Sequence, residues 1–315
     1  MQVIEAEQET LHKRVLRLMG NRFEISVVSD DEQWANNLVE SAIFEIRRIE
    51  QLLTTFSQSS QTNEINAYAG IKPVKADREV FNLIHRSIRI SELTQGAFDI
   101  TYGSIDKRFW NFDKTMTSLP DKETAKKMIR FINYKNIILD KKAETVFLKE
   151  KGMRIGFGGI GKGYAADRAR LILEQNGAES GVVNAAGDLT TWGTQPNGKP
   201  WTVGIADPDS AQHPFSYLDI SNMAVATSGN YEKYVTIDGK KYSHTIDPKT
   251  GLPVSGIKSV TIICSNAELA DALATPVTVM GIKAGLNLIN QMKNIACIII
   301  DDNNKLYTSD NINIS

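Results

Sequence analysis

Apolar and polar residues alternate along 22–28, RFEISVV, a pattern that predicts a half-buried strand. Just beyond it, Trp34, Leu38, Ala42, Ile46, Ile49, Leu53 and Phe56 recur at steps of three or four. That spacing places them on one stripe of a long helix. The stretch SQSSQTNEINAYAG is polar and punctuated, so it is expected to be a loop. A second helix is expected over about 78–95, ending before Gly96, a residue type suited to the left-handed position after a helix. Residues 102–120 show little periodicity and are expected to wrap the surface. PDKETAKKMIRFI predicts a helix with Pro120 and Asp121 at its start, and NIILDKKAETVFLK predicts a hairpin.

The second half is richer in strand patterns. RIGF, GVVNA, WTVGIA, MAVAT, SVTIICS, ACIIID and KLYTS read as strands. YEKYVTIDGKKYSHTID reads as a hairpin turning at Asp238-Gly239, a pair that supplies the two positive φ angles a tight turn requires. GYAADRARLILEQNG predicts a helix closed by Gly177, and another helix begins near Ala267. Helices and strands intermix without a strict βαβ alternation. The expected class is therefore α+β, with mixed or antiparallel sheets and packed helices.

Bulk properties narrow the partners. The 315 residues carry a formal charge of −1, so neither nucleic acid nor an anionic membrane gains from net attraction. No apolar run approaches the roughly 20 residues that span a bilayer. The N-terminus lacks a basic segment followed by an apolar stretch, and no cysteine near residue 20 offers a lipid site. As it stands the sequence is expected to be cytoplasmic, or, as a trimmed lipoprotein, on the periplasmic side of the inner membrane. Cys264 and Cys297 lie in apolar strand-like runs and are expected to be buried thiols.

One stretch carries obvious phosphate chemistry. RIGFGGIGKGYAADRA contains Gly156-x-Gly158-x-x-Gly161, a dinucleotide fingerprint, and Gly156-x4-Gly161-Lys162, most of a Walker A loop. Both fits are incomplete. The Walker loop needs a hydroxyl where this chain has Gly163, and the dinucleotide motif needs an acidic residue after a second strand, whereas Glu174 and Glu179 precede it. A glycine loop opening a helix still offers backbone N–H groups to an anion, and Lys162 adds a full charge. A metal would then be held elsewhere. In NAELADALAT, Asp271 and Thr275 are spaced i,i+4 on one helix face and are the hard oxygen donors that Mg²⁺ takes. His244, before the rigid DPKTG turn, is suited to general-base work near neutral pH. Asp99 and Thr101 (GAFDIT), Asp188 (NAAGDL), and Thr227 and Ser228 (ATSGNY) are further polar candidates.

Taken in order, LMGNRFEI, SQTNEIN, GAFDIT, GGIGKGYAAD, NAAGDL, ATSGNY, HTIDPKTG and ADALAT resemble the motifs of the ApbE-like flavin transferases, the FAD:protein FMN transferases. The resemblance covers about residues 15–310, taken as one domain. It implies a bipartite, T-fold-related α+β architecture clamping FAD. It also implies an Mg²⁺-dependent transfer of the FMN half of FAD to a threonine of an acceptor protein of redox-pump or FMN-binding-domain type, with AMP leaving. By the same resemblance, a carbonyl at Gly161 joins Asp271 and Thr275 around the metal. Met19 touches the flavin side, Asp99 and Asp167 bind polar parts of FAD, and His244 activates the acceptor hydroxyl. Lys162 joins His244 as a catalytic residue, and Ser60, Thr101, Gly159, Lys162, Asp188, Thr227, Ser228 and His244 complete the implied cofactor contacts. The sequence departs from the family pattern at Gln61, Asn21, Gly161 and Pro276, the last placing a helix-disfavouring residue directly after Thr275. FAD hydrolysis to FMN and AMP, and FAD binding without catalysis, are the alternative functions. A P-loop NTPase is disfavoured by Gly163.

Overall fold

The computed structural model describes residues 10–105, 116–207, 210–229, 234–243 and 245–312. His244 and residues 106–115 lie outside these. The chain opens with β1 (Thr10–Leu18) and β2 (Asn21–Ser29), joined by Met19 and Gly20 at φ 50° and 73°. Positive φ at both central residues is the two-residue turn that matches strand twist. Helix α1 (Glu32–Leu53) is capped by Asp31, whose carboxylate accepts from the Trp34 N–H at 2.9 Å. The helix ends at Leu53, one turn short of the apolar stripe's last member. Phe56 therefore leaves the helix and stands 97% exposed.

The polar stretch expected to be a loop contains α2 (Gln61–Ala67). Ser60 caps it, donating to Thr54 O at 2.6 Å and accepting from Asn63 N–H at 3.1 Å. Then come β3 (Val74–Lys75) and α3 (Arg78–Leu93), with Gly96 at φ 82° beyond its end as expected. After them follow α4 (Lys122–Ile129), β4 (Ile137–Asp140) and β5 (Thr145–Leu148). RIGF is not a strand. Its backbone is held by separate partners instead: Ile155 N–H donates to Asn66 Oδ1 at 2.7 Å and Asn66 Nδ2 donates to Ile155 O at 3.0 Å, while the Arg154 backbone exchanges bonds with the Ser104 hydroxyl and Gly156 N–H donates to Ile100 O at 2.9 Å. α5 (Gly161–Gln175) starts from the glycine loop.

The second half supplies β6 (Gly181–Ala185), β7 (Asp188–Trp192), β8 (Trp201–Asp207), β9 (Ser210–Ile220), β10 (Ala224–Gly229), and the hairpin β11 (Tyr234–Ile237) and β12 (Lys240–Ser243). Asp238 and Gly239 sit at its turn with φ 50° and 76°, as expected. β13 (Ile257–Cys264), α6 (Ala267–Met280), α7 (Ile282–Asn290), β14 (Ala296–Asp301) and β15 (Leu306–Thr308) complete the described chain. α6 runs through Pro276, which keeps Asp271 and Thr275 on one helix although that turn loses the hydrogen bond proline cannot donate.

Eight strands form one sheet in the order β1-β2-β6-β7-β10-β13-β14-β15, every pair antiparallel. The observed class is thus α+β with antiparallel sheets. Helices α1, α5 and α6 pack over one face and bury the main core there. The β8–β9 hairpin covers part of the other face through Val203, Ile205 and Ile220 against Leu189, Val225, Ile263 and Ile298. Cys264 and Cys297 are buried free thiols, as expected. No helix among the described residues is long and apolar enough to cross a membrane.

Candidate active site

The site forms where α5 and α6 cross above the sheet. The crossing is close because Gly163 has no side chain: a Cβ there would lie 2.1 Å from Ala267 O and 2.9 Å from Asp271 Cβ. This is a physical reason for glycine at the position where a Walker loop carries its hydroxyl. The two helices then hold each other reciprocally. Gly163 N–H on α5 donates to Asp271 Oδ2 on α6 at 3.1 Å. One turn along both helices, Asp167 on α5 accepts from Ala267 N–H at 2.9 Å and Glu268 N–H at 2.8 Å, the first amides of α6. Burial raises the Asp167 carboxyl to about 6, against the pull of those two amides. Asp167 lines neither of the cavities described next. Asp167 thus ties α5 to the first amides of α6, whose N-cap residue is Asn266.

Two cavities open beside this crossing, of about 1060 Å³ and about 610 Å³. Thr55, Gly156, Gly158 and Thr275 line both, so the glycine loop and one α6 hydroxyl form their common wall. The smaller cavity is lined by Met19 at the β1–β2 turn, by Phe56, by Lys162, Asp188 and Asp271, and by Thr227 and Ser228 on β10. Met19 reaches the start of α5, its methyl 3.7 Å from where a Gly161 Cβ would be. Thr227 Oγ1 is also held, 2.9 Å from Thr261 Oγ1 on β13.

Lys162 is the electrostatic centre of the smaller cavity. Its ammonium pairs with Asp188 on β7 and lies 3.6 Å from Asp271 Oδ1. Burial pulls its pKa down, but the charges of Asp271 and Asp188 outweigh burial and hold it above the ordinary lysine value. β7 delivers Asp188 from the sheet face that the helices cover, the face that also carries Thr190 and Trp192 beneath Arg170. Three carboxylates line this cavity, Glu50, Asp188 and Asp271. Asp188 and Asp271 lie beside Lys162, and Asp271, with the Thr275 hydroxyl on the same helix face, suits a hard divalent cation. Among the described residues no group of three or more His, Cys, Asp or Glu has the arrangement to hold a metal. A cation here would be held by one or two carboxylates and neutral oxygens, completed by substrate phosphates. Mg²⁺ is commonly bound in that way. Gly161 is buried at the first position of α5 and lines neither cavity.

The larger cavity carries Asp99, Gly159, Tyr102 and a cationic rim of Lys127, Arg130 and Arg154. Asp99 is buried and built into its loop. Oδ1 accepts from Thr101 N–H at 2.8 Å and from the Thr101 hydroxyl at 2.6 Å, and Oδ2 accepts from Tyr134 N–H at 2.8 Å. Burial pushes its carboxyl above the usual range while these donors oppose the shift. Thr101 is fully buried and also accepts from Asn133 N–H at 2.8 Å, so it supports the wall without lining it. Ser60, committed to capping α2, lines neither cavity. The residues flanking position 244 are described: Ser243 is buried, and Thr245 and Ile246 line the larger cavity. Sequence reasoning missed Phe56, absorbed into a helical stripe, and the cationic rim. Lys127 and Arg130, three apart at the end of α4, were the available signal for the rim.

Fold and site define an α+β protein whose cleft suits an elongated, anionic ligand lying across a glycine loop. The profile of the ApbE family matches residues 19–299, and the chain belongs to that family. It is 32% identical over 294 residues to the FAD:protein FMN transferase of Klebsiella pneumoniae (strain 342), covering 93% of this chain and 90% of that one. Among solved structures, the ApbE protein of Thermotoga maritima superposes with a TM-score of 0.85 at 31% identity, covering 96% of this chain and 97% of that chain. The apo flavinyl transferase ApbE of Pseudomonas stutzeri gives 0.84 at 25% identity, covering 96% of each.

Proposed function

We propose that this chain carries out the reaction for which its relatives are named. It transfers the FMN moiety of FAD to an acceptor flavoprotein, at a threonine hydroxyl, with Mg²⁺ present and AMP released. One observation supports this above the others: two cavities share a wall made of the glycine loop and Thr275, with Lys162 and Asp271 beside it. A dinucleotide lying across that wall has its pyrophosphate at the loop amides and the ammonium. The flavin then occupies the smaller cavity with Met19 and Phe56, and the adenylate half the larger one with its cationic rim.

Phosphoryl transfer depends on positioning and charge neutralisation more than on covalent help. The glycine loop and the α5 N-terminus orient the phosphates, and Lys162 stabilises charge on them. The threonine oxygen forms a bond to the FMN phosphorus while the bond to the bridging oxygen breaks, and AMP leaves with that oxygen. The hydroxyl proton goes to a base. His244 is the group proposed for this, since a neutral imidazole accepts a proton near pH 7. Mg²⁺ held by Asp271, Thr275 and a carbonyl at Gly161 would supply further neutralisation of the pyrophosphate. The reading is tested by measuring AMP released from FAD with and without a candidate acceptor domain. AMP formation that depends on the acceptor and stops in EDTA supports transfer; equal AMP without acceptor supports hydrolysis instead.

A further inference from the structure

Two of the three carboxylates that line the smaller cavity, Asp188 and Asp271, already share a cation, and it is covalently part of the protein. Lys162 lies one residue beyond the glycine loop's last glycine, on the first turn of α5. Its ammonium pairs with Asp188 and stands 3.6 Å from Asp271 Oδ1. The other oxygen of Asp271 is taken by Gly163 N–H at 3.1 Å. Oδ1 is thus the oxygen of this buried carboxylate not engaged by the backbone, and Lys162 is the charge that faces it.

We infer that Lys162 is the resident counter-ion of the metal-free site, and that a divalent cation gains Asp271 only as this ammonium moves off toward the substrate's phosphates. The inference rests on the cation placement proposed above. Its physical basis is competition. An ammonium and a divalent ion repel each other and seek the same carboxylate, so a neutralised carboxylate holds the second ion weakly. The lysine stem is a flexible four-carbon chain, so the charge can move without moving α5. The anion it would move toward is adjacent, because the loop amides and the α5 N-terminus favour phosphate at that end of the helix. Phosphate binding draws the ammonium away and frees the carboxylate. Cation and phosphate-bearing substrate therefore bind cooperatively, and by linkage each tightens the other.

The consequence runs against the usual expectation for a site residue: deleting Lys162 strengthens metal binding to the free protein. The test uses Mn²⁺ as probe and the full chain without FAD, with binding read by electron paramagnetic resonance or calorimetry. Lys162→Met and Lys162→Gln are expected to bind Mn²⁺ about tenfold or more tightly than the parent, within the usual range of site-to-site coupling. Lys162→Arg, which keeps the positive charge, is expected to stay near the parent. Melting temperatures of all variants establish that each is folded. Unchanged or weaker Mn²⁺ binding in both neutral variants, with Asp271→Asn still abolishing it, overturns the counter-ion role while leaving the metal placement standing. Mn²⁺ binding that is indifferent to Asp271→Asn overturns the metal placement and this inference with it.

Discussion

Gly163→Ala probes the helix crossing on which the site depends. The added methyl would meet Ala267 O at 2.1 Å, Ala267 C at 2.5 Å and Asp271 Cβ at 2.9 Å. Non-bonded heavy atoms prefer about 3.5 Å, so α5 and α6 must separate by roughly 1.4 Å at this point. The contacts are with backbone and with the stem of a buried residue, so no flexible side chain can swing aside. Overpacking of this kind costs about 1–3 kcal/mol. Separation also stretches the Gly163–Asp271 bond and the two Asp167 bonds to the α6 amides, each worth about 1 kcal/mol. A loss of about 3–5 kcal/mol corresponds to a fall in melting temperature on the order of 10 °C for a chain of this size. Calorimetry of Gly163→Ala measures it directly. Gly158→Ala is the control, since a Cβ there meets nothing within 4 Å, and its melting temperature should stay close to the parent's. Gly163→Ser, which completes the Walker pattern, should be at least as damaging as Gly163→Ala. A Gly163→Ala protein that melts within about 1 °C of the parent refutes the reasoning.

Four further outcomes are expected. Asp271→Asn should lower metal-dependent turnover by about a hundredfold or more and Thr275→Ala by less than about tenfold, because water replaces one neutral ligand more easily than a carboxylate; equal effects in steady-state assays would count against the assigned donors. Phe56→Ala should weaken FAD binding by roughly 1–3 kcal/mol, the range for stacking a base on an aromatic ring, without lowering the melting temperature, since the ring is 97% exposed; flavin fluorescence titration showing unchanged affinity removes it from the site. His244→Ala should keep FAD affinity within a few-fold and lose about 10²–10⁴-fold in transfer, whereas collapsed affinity with normal turnover per bound FAD makes it a binding residue. Asp167 has its folded pKa raised to about 6 by burial, so the stability it contributes is full below its unfolded value near 4 and is lost as pH rises through 6. Urea unfolding should therefore show the parent losing about 2 kcal/mol relative to Asp167→Asn between pH 4 and 7, after discounting for partial exposure; a constant difference contradicts the shift.

The elements legible in the sequence were those with one buried face. The α1 stripe from Trp34 to Leu53 and the Asp238-Gly239 turn follow from local periodicity and φ requirements. β7 was not legible, because DLTTW is buried along its whole length. The helices take Asp188, Thr190 and Trp192 from one side, while Leu189 joins the β8–β9 cluster on the other. No alternation survives such burial. α2 was hidden because its first signal, Ser60, sits in a polar run that reads equally as loop. RIGF has a strand's composition, but its backbone is held by the side chains of Asn66, 89 residues away in sequence, and Ser104, and by the Ile100 carbonyl, rather than by a strand. At the site, the i,i+4 spacing of Asp271 and Thr275 was readable and both line the smaller cavity. The reason for Gly163 was not, since it lies in the α6 backbone more than a hundred residues further on. Asp167 illustrates the same limit. Only the packing shows that both its oxygens accept from the first amides of another helix.

The central claim is that FMN is delivered to a protein hydroxyl. Its most direct test is peptide-level mass spectrometry of an acceptor domain incubated with this protein, FAD and Mg²⁺. The account predicts one added FMN per acceptor, attached through phosphate to a single threonine, with an equal amount of AMP, and no addition when that threonine is replaced by valine. FAD consumed to free FMN and AMP while the acceptor's mass stays unchanged contradicts it.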